Sequence, residues 1–438
     1  MHVLVPEGLI WWVMSHRKKF ILVPTGSAGD IHPFVWLGKG LVARGHNVCA
    51  IVHRPFDDLM RTAGIRPVAY GTKSEYEAVI RNPDLWHPRK GFELIARMSS
   101  RLYREIVPRV REEMTRGRPL LVGAGIAFGA RIAAEAFNLP LVTIQLQPAA
   151  FMSVENPPVL RAGTEWFIRL PRWVRRLFYK FGCYQTDRLL AGGINAYRAE
   201  LGLPCPLRGI MCDYWISPLR VIALFPDWFG PKQPDWPPQT VVTRFPLYDE
   251  SDREAVADEL RRFLDDSDPP VLFTPGSANV QAEGFFRTAL EACSRLGCRG
   301  LFLTPNSEQA PPDLPPSVRH FAYVPFSQVF SRCAAVVHHG GIGTVAQGLA
   351  AGVPQLVMAM SHDQPDNGNR LRRMGVGDYL YPGAFRPSVV AEKIQRLITS
   401  PAVRTACQEY RLRMEKQMPA EDVFRLVDET YPCQEDPR

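Results

Sequence analysis

The fold is decided by the stretch Ala335-Val-Val-His-His-Gly-Gly-Ile-Gly-Thr-Val345, in which an apolar strand runs into three closely spaced glycines and then a helix. Glycines let the backbone adopt positive φ and let a ligand approach it closely. The unpaired N–H groups at a helix N-terminus attract an anion. His339 and Thr344 can add side-chain donors, so the stretch predicts a diphosphate site. A tight turn with two core histidines is the structural alternative.

A second strand and polar loop follow at Gly352-Val-Pro-Gln-Leu-Val-Met-Ala-Met-Ser-His-Asp-Gln-Pro-Asp-Asn367. In a parallel sheet, Asp363 and Gln364 fall at the carboxyl end of this strand, beside the glycines. A carboxylate next to an amide suits recognition of sugar hydroxyls. Capping of the next helix by Asp363 is the alternative interpretation.

Strands and helices alternate through both halves of the chain. Strands are predicted at 20–24, 47–52, 119–122, 141–145 and 220–224, and again at 270–274, 299–303, 320–323, 335–338 and 355–358. A helix is expected from Pro33, as its first turn, to about Arg44. The pattern predicts an α/β protein of two tandem Rossmann-like domains, each a doubly wound parallel sheet, facing a cleft.

The domain boundaries follow from the same pattern. We predict an upstream extension at 1–13, an N-terminal acceptor-binding domain at 14–245 and a linker at 246–269. The C-terminal donor-binding domain then covers 270–410. A helix and tail at 411–438 are expected to pack back on the N-terminal domain.

The motifs HHGGIGT at 338–344 and HDQPDN at 362–367 resemble the donor signature of inverting, UDP-glycosyltransferase-like enzymes with the GT-B fold. The resemblance implies a UDP- or dTDP-sugar as co-substrate. It implies that the diphosphate is held by His339, Gly341, Gly343 and Thr344. The sugar is then held by Asp363, Gln364 and Asn367. It also places Val324 near the base, and Gly276 and Ser277 in a second phosphate loop.

The first-half loop Gly26-Ser-Ala-Gly-Asp-Ile-His-Pro33 resembles the loop that activates the acceptor in the same family. The match implies that Asp30 is the general base, which removes the proton of the acceptor hydroxyl. His32 is the second candidate. An Asp that only hydrogen-bonds nearby backbone is the alternative for Asp30. Gly123-Ala-Gly125 stands where histidine-based members carry a supporting Asp, so a His–Asp dyad is not predicted.

Four segments, at 26–34, 82–88, 224–229 and 245–248, resemble the rhamnosyltransferases of rhamnolipid synthesis. They imply an apolar, hydroxyl-bearing acceptor, either a lipid or an aglycone. We predict that Trp86, Trp166, Phe167 and Trp173 bind it. The last three lie in the Arg-rich segment 161–188, which is typical of a lid that lines an apolar channel or makes transient contact with a membrane surface. An amphipathic helix packed on the first domain is the alternative.

The net charge and the cysteines indicate which partners the protein binds and where in the cell it lies. The net charge of +8 suits a phosphate-bearing ligand, and without a nucleic-acid module we expect no nucleic-acid partner. Nine scattered cysteines predict reduced thiols in a cytoplasmic protein, peripheral to the inner face of the membrane at most.

Asp266-Ser-Asp268 matches a metal-binding DxD pattern, but its place before Pro269 favours a linker, so no metal is predicted.

These observations together predict a metal-independent, inverting glycosyltransferase with no cofactor besides the nucleotide sugar. Three other functions stay open. One is a sugar-nucleotide 2-epimerase. Another is an oxidoreductase with a dinucleotide at Thr25–Gly29, although the spacing there is G-x-x-G rather than G-x-G-x-x-G. The third is a catalytically idle partner subunit that binds a nucleotide sugar or a lipid.

Overall fold

The computed structural model describes residues 17–87, 90–250, 258–266, 268–276, 279 and 282–431. The predicted extension at 1–13, Ser277 and the end of the predicted tail lie outside these residues. Within them the chain forms two entirely parallel sheets, of seven and six strands.

The first sheet has the order β3-β2-β1-β4-β5-β6-β7. Its strands are β1 Lys19–Val23, β2 Asn47–His53, β3 Arg66–Tyr70, β4 Leu120–Ala124, β5 Leu141–Gln145, β6 Arg220–Ala223 and β7 Thr240–Val242. Its helices are α1 Ala28–Ala43, α2 Asp57–Thr62, α3 Lys73–Ile80, α4 Lys90–Met114, α5 Phe128–Ala136 and α6 Arg172–Glu200.

The second sheet has the order β10-β9-β8-β11-β12-β13. Helix α7 Asp258–Asp265 precedes it. Its strands are β8 Val271–Thr274, β9 Gly300–Leu303, β10 Val318–Phe321, β11 Ala335–His338, β12 Gln355–Met358 and β13 Gly377–Leu380. The helices are α8 Glu283–Leu296, α9 Phe326–Val329, α10 Ile342–Ala351, α11 Gln364–Arg373, α12 Pro387–Thr399, α13 Pro401–Glu415 and α14 Ala420–Asp428.

Helices cover both faces of the first sheet, which explains why its central strands are apolar throughout. Successive side chains of β1 point to opposite faces. Ile21 packs in a cluster that includes Ile106 of α4. Leu22 packs in another with Phe34 of α1 and Val423 of α14. The last helix therefore completes the core of the N-terminal half.

The chain order reverses between β1 and β4 in the first sheet and between β8 and β11 in the second. Ligands of doubly wound sheets bind outside the carboxyl ends of the strands at such switch points. The β1–α1 turn (Pro24–Ser27) and the β11–α10 turn (His339–Gly341) lie at these two places. The two parallel α/β sheets confirm the predicted fold class.

Contacts from α11 fix the two halves against each other. The N–H of Val159 donates to Asp366 Oδ1 at 3.0 Å. Arg370 donates from Nε to Asp366 Oδ2 at 2.7 Å and from Nη1 to the carbonyl of Phe229 at 2.8 Å. Because α11 also follows the sugar-binding loop predicted at 363–364, these bonds couple that loop to the N-terminal half.

Helix α1 begins earlier than predicted. Its first residue is Ala28, and Pro33 is an interior residue rather than part of the first turn. Ser27 precedes it in an extended conformation, as N-cap residues do. The N–H that Pro33 lacks would have bonded only to the carbonyl of Gly29, so the loss is confined to the start of the helix.

The prediction of reduced thiols throughout was wrong at one pair. Cys183 and Cys212 form a disulfide, with their Cα atoms 6.1 Å apart. Cys183 lies in α6 and Cys212 in the one-turn helix Ile210–Tyr214, which packs beside it. The other cysteines of the described ranges are free: Cys49, Cys205, Cys293, Cys298, Cys333 and Cys407. None of the helices in those ranges is both long and apolar enough to cross a bilayer.

Candidate active site

The β11–α10 turn leaves a helix N-terminus without internal partners. Val345 donates the first intrahelical bond of α10, to Gly341. The N–H groups of Ile342, Gly343 and Thr344 therefore have no acceptor in the helix. No acidic residue occupies the first turn, and Gly341, the N-cap residue, brings no capping side chain. This arrangement can bind an anion.

The two adjacent histidines have different surroundings. His338 is buried; its Nε2 lies 3.0 Å from Gln355 Oε1, and its Nδ1 accepts from the N–H of Gly340 at 3.1 Å. Burial lowers its pKa to about 3. His338 therefore holds the turn in shape, as the structural alternative predicted for it.

His339 is partly buried and lies between two glycines. A Cβ on Gly276 would come within 2.4 Å of its ring, and one on Gly341 within 2.5 Å. Its Nδ1 is buried without a hydrogen-bond partner. Burial lowers the pKa of His339 to about 4, so the ring is neutral at pH 7 and can donate one hydrogen bond. The structure thus brings Gly276, His339 and Gly341 together.

The predicted sugar-binding residues meet where β12 leads into α11. Asn367 is fully buried and donates from Nδ2 to the carbonyl of Gly340 at 2.9 Å and to Asp363 Oδ2 at 2.7 Å. Gln364 accepts through Oε1 from the N–H of Met360 at 2.8 Å. Asp363 is the N-cap residue but makes no side-chain capping bond, so its carboxylate is not used as a cap.

Asp30 lies in the first turn of α1. Its Oδ2 accepts from the N–H of Ser27 at 2.8 Å and from Ser27 Oγ at 3.1 Å. Gly26 allows this contact, because it has φ +130° and a Cβ there would lie 2.2 Å from the carboxylate. Burial raises the pKa of Asp30, although the bonds from Ser27 oppose the rise.

His32 points elsewhere. Two residues along a helix turn a side chain by about 200°, which puts His32 on the other side of α1 from Asp30. Its ring meets Tyr248 edge-on at 5.3 Å, and Nε2 lies 3.9 Å from Glu250. Burial is the main cause that lowers the pKa of His32.

The carboxyl group of Asp363 is affected by a carboxylate of the other half. Burial, followed by the negative charge of Asp30, raises the pKa of Asp363 to about 7. Asp363, which follows β12, therefore lies within electrostatic range of Asp30 in the first turn of α1.

The remaining residues predicted to bind the nucleotide sugar differ in their exposure to solvent. Val324 and Thr344 are buried, whereas Gly343 is exposed. The side chain of Val324 packs in the core cluster that includes Leu272 and Val336, so only its backbone can contact the base of the nucleotide. A Cβ on Gly343 would meet no protein atom within 4 Å, so the space in front of this residue is open.

Trp86 lies at the seam between the halves. Its ring meets His362 at 6.0 Å, and His362 Nε2 lies 3.0 Å from the carbonyl of Leu85. His362 directly precedes Asp363, so Trp86 sits beside the predicted sugar-binding loop. The indole Nε1 of Trp86 is buried without a hydrogen-bond partner.

The other predicted acceptor residues form a separate group. Phe167 contacts Trp166 at 6.3 Å and Phe178 at 5.4 Å between ring centroids. Trp166 and Trp173 are among the most exposed large apolar residues. Helix α6 packs on the first domain through its second half, beyond the segment 161–188, whereas the apolar side chains of its first half face outward.

Sequence reasoning missed two polar side chains at the carboxyl ends of β1 and β5, the strands on either side of β4. Thr25 follows β1 and Gln145 ends β5, and both are buried. Thr25 Oγ1 and Gln145 Nε2 have no hydrogen-bond partner. A Cβ on Gly125 would lie 2.6 Å from Gln145 Oε1. The only available signal was their position just at or after a predicted strand.

The DxD pattern lies at the wrong edge of the sheet for a diphosphate. Asp266 and Asp268 precede β8, so they are at the amino ends of the parallel strands, opposite His339. The carbonyl of Asp268 accepts from Arg299 at 3.1 Å. Across the described ranges, no three His, Cys, Asp or Glu side chains are grouped so that they could hold a metal ion.

Comparison with known proteins supports a glycosyltransferase. Residues 301–428 match the family model of the erythromycin biosynthesis protein CIII-like C-terminal domain. The O-mycaminosyltylonolide 6-deoxyallosyltransferase of Streptomyces fradiae is 28% identical over 433 residues, which cover 94% of this chain and 97% of that relative.

Solved structures share the whole architecture at low identity. The kitacinnamycin glycosyltransferase superposes with a TM-score of 0.74 at 19% identity, over 95% of this chain and all of its own. The glycosyltransferase VinC, solved in complex with dTDP, gives 0.68 at 18% identity, over 94% of this chain and 99% of its own. The chain is therefore a glycosyltransferase with the GT-B fold, and its residues 301–428 resemble the C-terminal domain of erythromycin biosynthesis protein CIII.

Proposed function

We propose that this enzyme transfers a sugar from a dTDP- or UDP-sugar to a hydroxyl of an apolar acceptor, with inversion at the anomeric carbon. The observation that carries the proposal is the unpartnered N-terminus of α10, to which Asn367 joins Asp363 by bonds to Gly340 and Asp363, with Asp363 within electrostatic range of Asp30. A base, a sugar-binding carboxylate and an anion site then surround one space. The relative that acts on O-mycaminosyltylonolide and the dTDP complex of VinC favour a natural-product acceptor and a dTDP-linked donor.

Asp30 is assigned the role of general base. Its oxygen takes the proton of the acceptor hydroxyl while that oxygen forms a bond to the anomeric carbon. The bond from the anomeric carbon to the diphosphate oxygen breaks, and its electron pair stays on the diphosphate. Burial, which raises the pKa of Asp30, makes it a stronger base than an exposed carboxylate. The orientation of His32 toward Tyr248 and Glu250 favours Asp30 over it.

The leaving diphosphate is assigned to the β11–α10 turn. N–H groups of the first turn of α10 and the ring of His339 would donate to its oxygens. Because the ring is neutral at pH 7, it contributes a hydrogen bond, and the helix N-terminus contributes the positive potential. These donors act without a metal ion in the proposal. Asp363 and Gln364 would then hold the sugar hydroxyls, and the fully buried Asn367 would position Asp363 through the bond from its Nδ2.

A donor and acceptor panel tests the proposal. The purified enzyme would be incubated with dTDP- and UDP-hexoses, with and without a macrolide aglycone, a sterol and a 3-hydroxyacyl lipid. Release of nucleotide diphosphate and the mass of the glycoside would be measured. Transfer to an apolar hydroxyl supports the proposal. Conversion of the nucleotide sugar without an acceptor would favour a 2-epimerase, and binding without turnover would favour an idle partner subunit.

A further inference from the structure

We infer that the outward face of α6 docks the enzyme onto an anionic lipid bilayer. We define this face as Trp173, Leu177, Phe181 and Tyr184. Their spacing puts all four within an arc of about 80° on the helix surface and spreads them over roughly 16 Å of its length. A helix whose apolar face is bounded by cations is typical of binding in the membrane interface.

The face is exposed to an unusual degree. Six large apolar residues of this segment each have 53–67% of their surface exposed: Trp166, Trp173, Leu177, Phe178, Phe181 and Tyr184. Within the described ranges, other exposed residues of this kind outside 166–189 stand singly, such as Leu219 and Leu412. A concentrated apolar patch marks an interaction surface, whereas single exposed side chains need no explanation.

The helix is anchored on its other side, so the outward face is held in place. Leu190, Ile194 and Tyr197 are buried in the core of the N-terminal half. The disulfide between Cys183 and Cys212 ties the middle of α6 to the one-turn helix beside it. The first half of α6 cannot turn its apolar residues inward without breaking these contacts.

The charge around the face selects the lipid. Residues 161–188 contain seven Arg or Lys and two acids, a net charge of +5. Both acids are turned toward the protein. Glu165 accepts from Tyr379 at 2.8 Å and Tyr381 at 3.1 Å, and Asp187 accepts from the N–H of Gly209 at 2.7 Å.

Several of the cations point to solvent instead. Arg176 and Lys180 are exposed and lie along one edge of the apolar face, and Arg188 lies beyond its end. Exposed cations next to exposed Trp, Phe and Tyr complement anionic headgroups and the interface below them. An apolar acceptor dissolved in the same bilayer would then be close to the enzyme, but the docking itself does not depend on the proposed function.

Vesicle sedimentation tests the inference without any sugar donor. We expect the wild-type protein to bind phosphatidylglycerol vesicles and to bind phosphatidylcholine vesicles weakly, with binding reduced by salt. The double variant Trp173→Ser/Phe181→Ser and the double variant Arg176→Glu/Lys180→Glu should each lower binding to phosphatidylglycerol roughly tenfold or more. Leu412→Ser, an exposed apolar residue on α13, serves as the matched control and should bind like wild type.

The melting temperature of each variant checks that it remains folded. Absence of wild-type binding to phosphatidylglycerol, or wild-type binding by both double variants, would overturn the inference. Gel filtration tests the main alternative, in which a second copy of the chain covers the outward face of α6. A wild-type dimer that Trp173→Ser/Phe181→Ser converts to a monomer, together with no vesicle binding, would assign the face to a second copy of the chain.

Discussion

Strands β1 and β11 each run into a glycine-containing turn and then a helix at a switch point, but the two helices begin differently. In α1, Asp30 in the first turn accepts from the N–H of Ser27, so the chain supplies its own anion. In α10, the first turn has no acid and the N-cap is a glycine. The first turn therefore presents a base, whereas the second leaves its positive potential for a ligand.

The same comparison explains the different chemistry of the two halves. The carboxylate of Asp30 offsets the positive potential at the N-terminus of α1, so this helix end attracts a diphosphate only weakly. The first turn of α10 has no carboxylate that could act as a general base. The two turns thus take complementary roles in one transfer, and changes at each turn should have different effects on binding and on rate.

The largest effect is expected from removing the base of the β1–α1 turn. Asp30→Asn should lower the transfer rate by roughly 10²–10⁴-fold, because Asn cannot accept the proton of the acceptor. Affinity for the nucleotide should be unchanged, since that site is in the other half. Initial rates and calorimetric titration with dTDP measure the two quantities.

His32→Gln is the matched control for this change, because His32 lies on the same helix and faces Tyr248. It should retain much more activity than Asp30→Asn. A wild-type rate for Asp30→Asn together with an inactive His32→Gln would transfer the role of base to His32.

The next effect concerns the β11–α10 turn. His339→Ala should weaken binding of the nucleotide diphosphate by about 1.5–3 kcal/mol, the contribution of a hydrogen bond to a charged group. It should also slow transfer, because the same donor would meet the leaving diphosphate. Unchanged affinity would show that His339 does not contact the diphosphate. His338→Ala is the contrasting variant, because it should lower the melting temperature by removing the bond to Gln355.

Much of the fold could be predicted from the sequence, because central strands of parallel sheets are apolar on both faces. The runs at β1 and β11 are unmistakable for that reason. The edge strands β3, β7 and β13 were missed; β3 contains a proline and is only partly buried, and β7 has three residues. Edge strands are covered less completely, so their pattern is weaker.

The site was less accessible to sequence reasoning. Motifs indicated Asp30 and Asp363, but only the tertiary structure puts Asp363 within electrostatic range of Asp30. Gln145 and Thr25 carry no motif, and their unpartnered polar atoms become visible only once burial is known. The disulfide depends on the packing of α6 against Ile210–Tyr214, which a separation of 29 residues does not reveal.

A smaller effect should appear in the pH dependence of stability. The pKa of Asp363 is raised to about 7, so the folded protein takes up a proton that the unfolded chain lacks between about pH 4 and 7. Its contribution to stability is present at low pH and lost as the pH rises through 7. Asp363→Asn should therefore gain in melting temperature relative to wild type between pH 5 and pH 8. The exposed Asp58→Asn is the control, and an equal gain there would contradict the assignment.

The smallest effect on stability is expected from a methyl group added in the first turn of α10, and Gly340 in the β11–α10 turn provides the contrast. Gly340 has φ +92°, and a Cβ there would lie 2.6 Å from Val357. Gly340→Ala should therefore cost at least about 1–2 kcal/mol of stability, the penalty of a left-handed conformation, before the clash is added. At Gly343 the added Cβ meets no protein atom, so Gly343→Ala should stay within about 0.5 kcal/mol of wild type.

The variant with little effect on stability, Gly343→Ala, should have a clear effect on nucleotide binding. The methyl group of Gly343→Ala would enter the open space before the α10 N-terminus, where the proposal puts the diphosphate. We expect it to weaken dTDP binding while the melting temperature is unchanged. Denaturant unfolding and calorimetric titration measure both quantities on the same samples. If Gly343→Ala binds dTDP as tightly as wild type, the diphosphate does not lie against the first turn of α10, and the contrast between the two turns would lose its functional meaning.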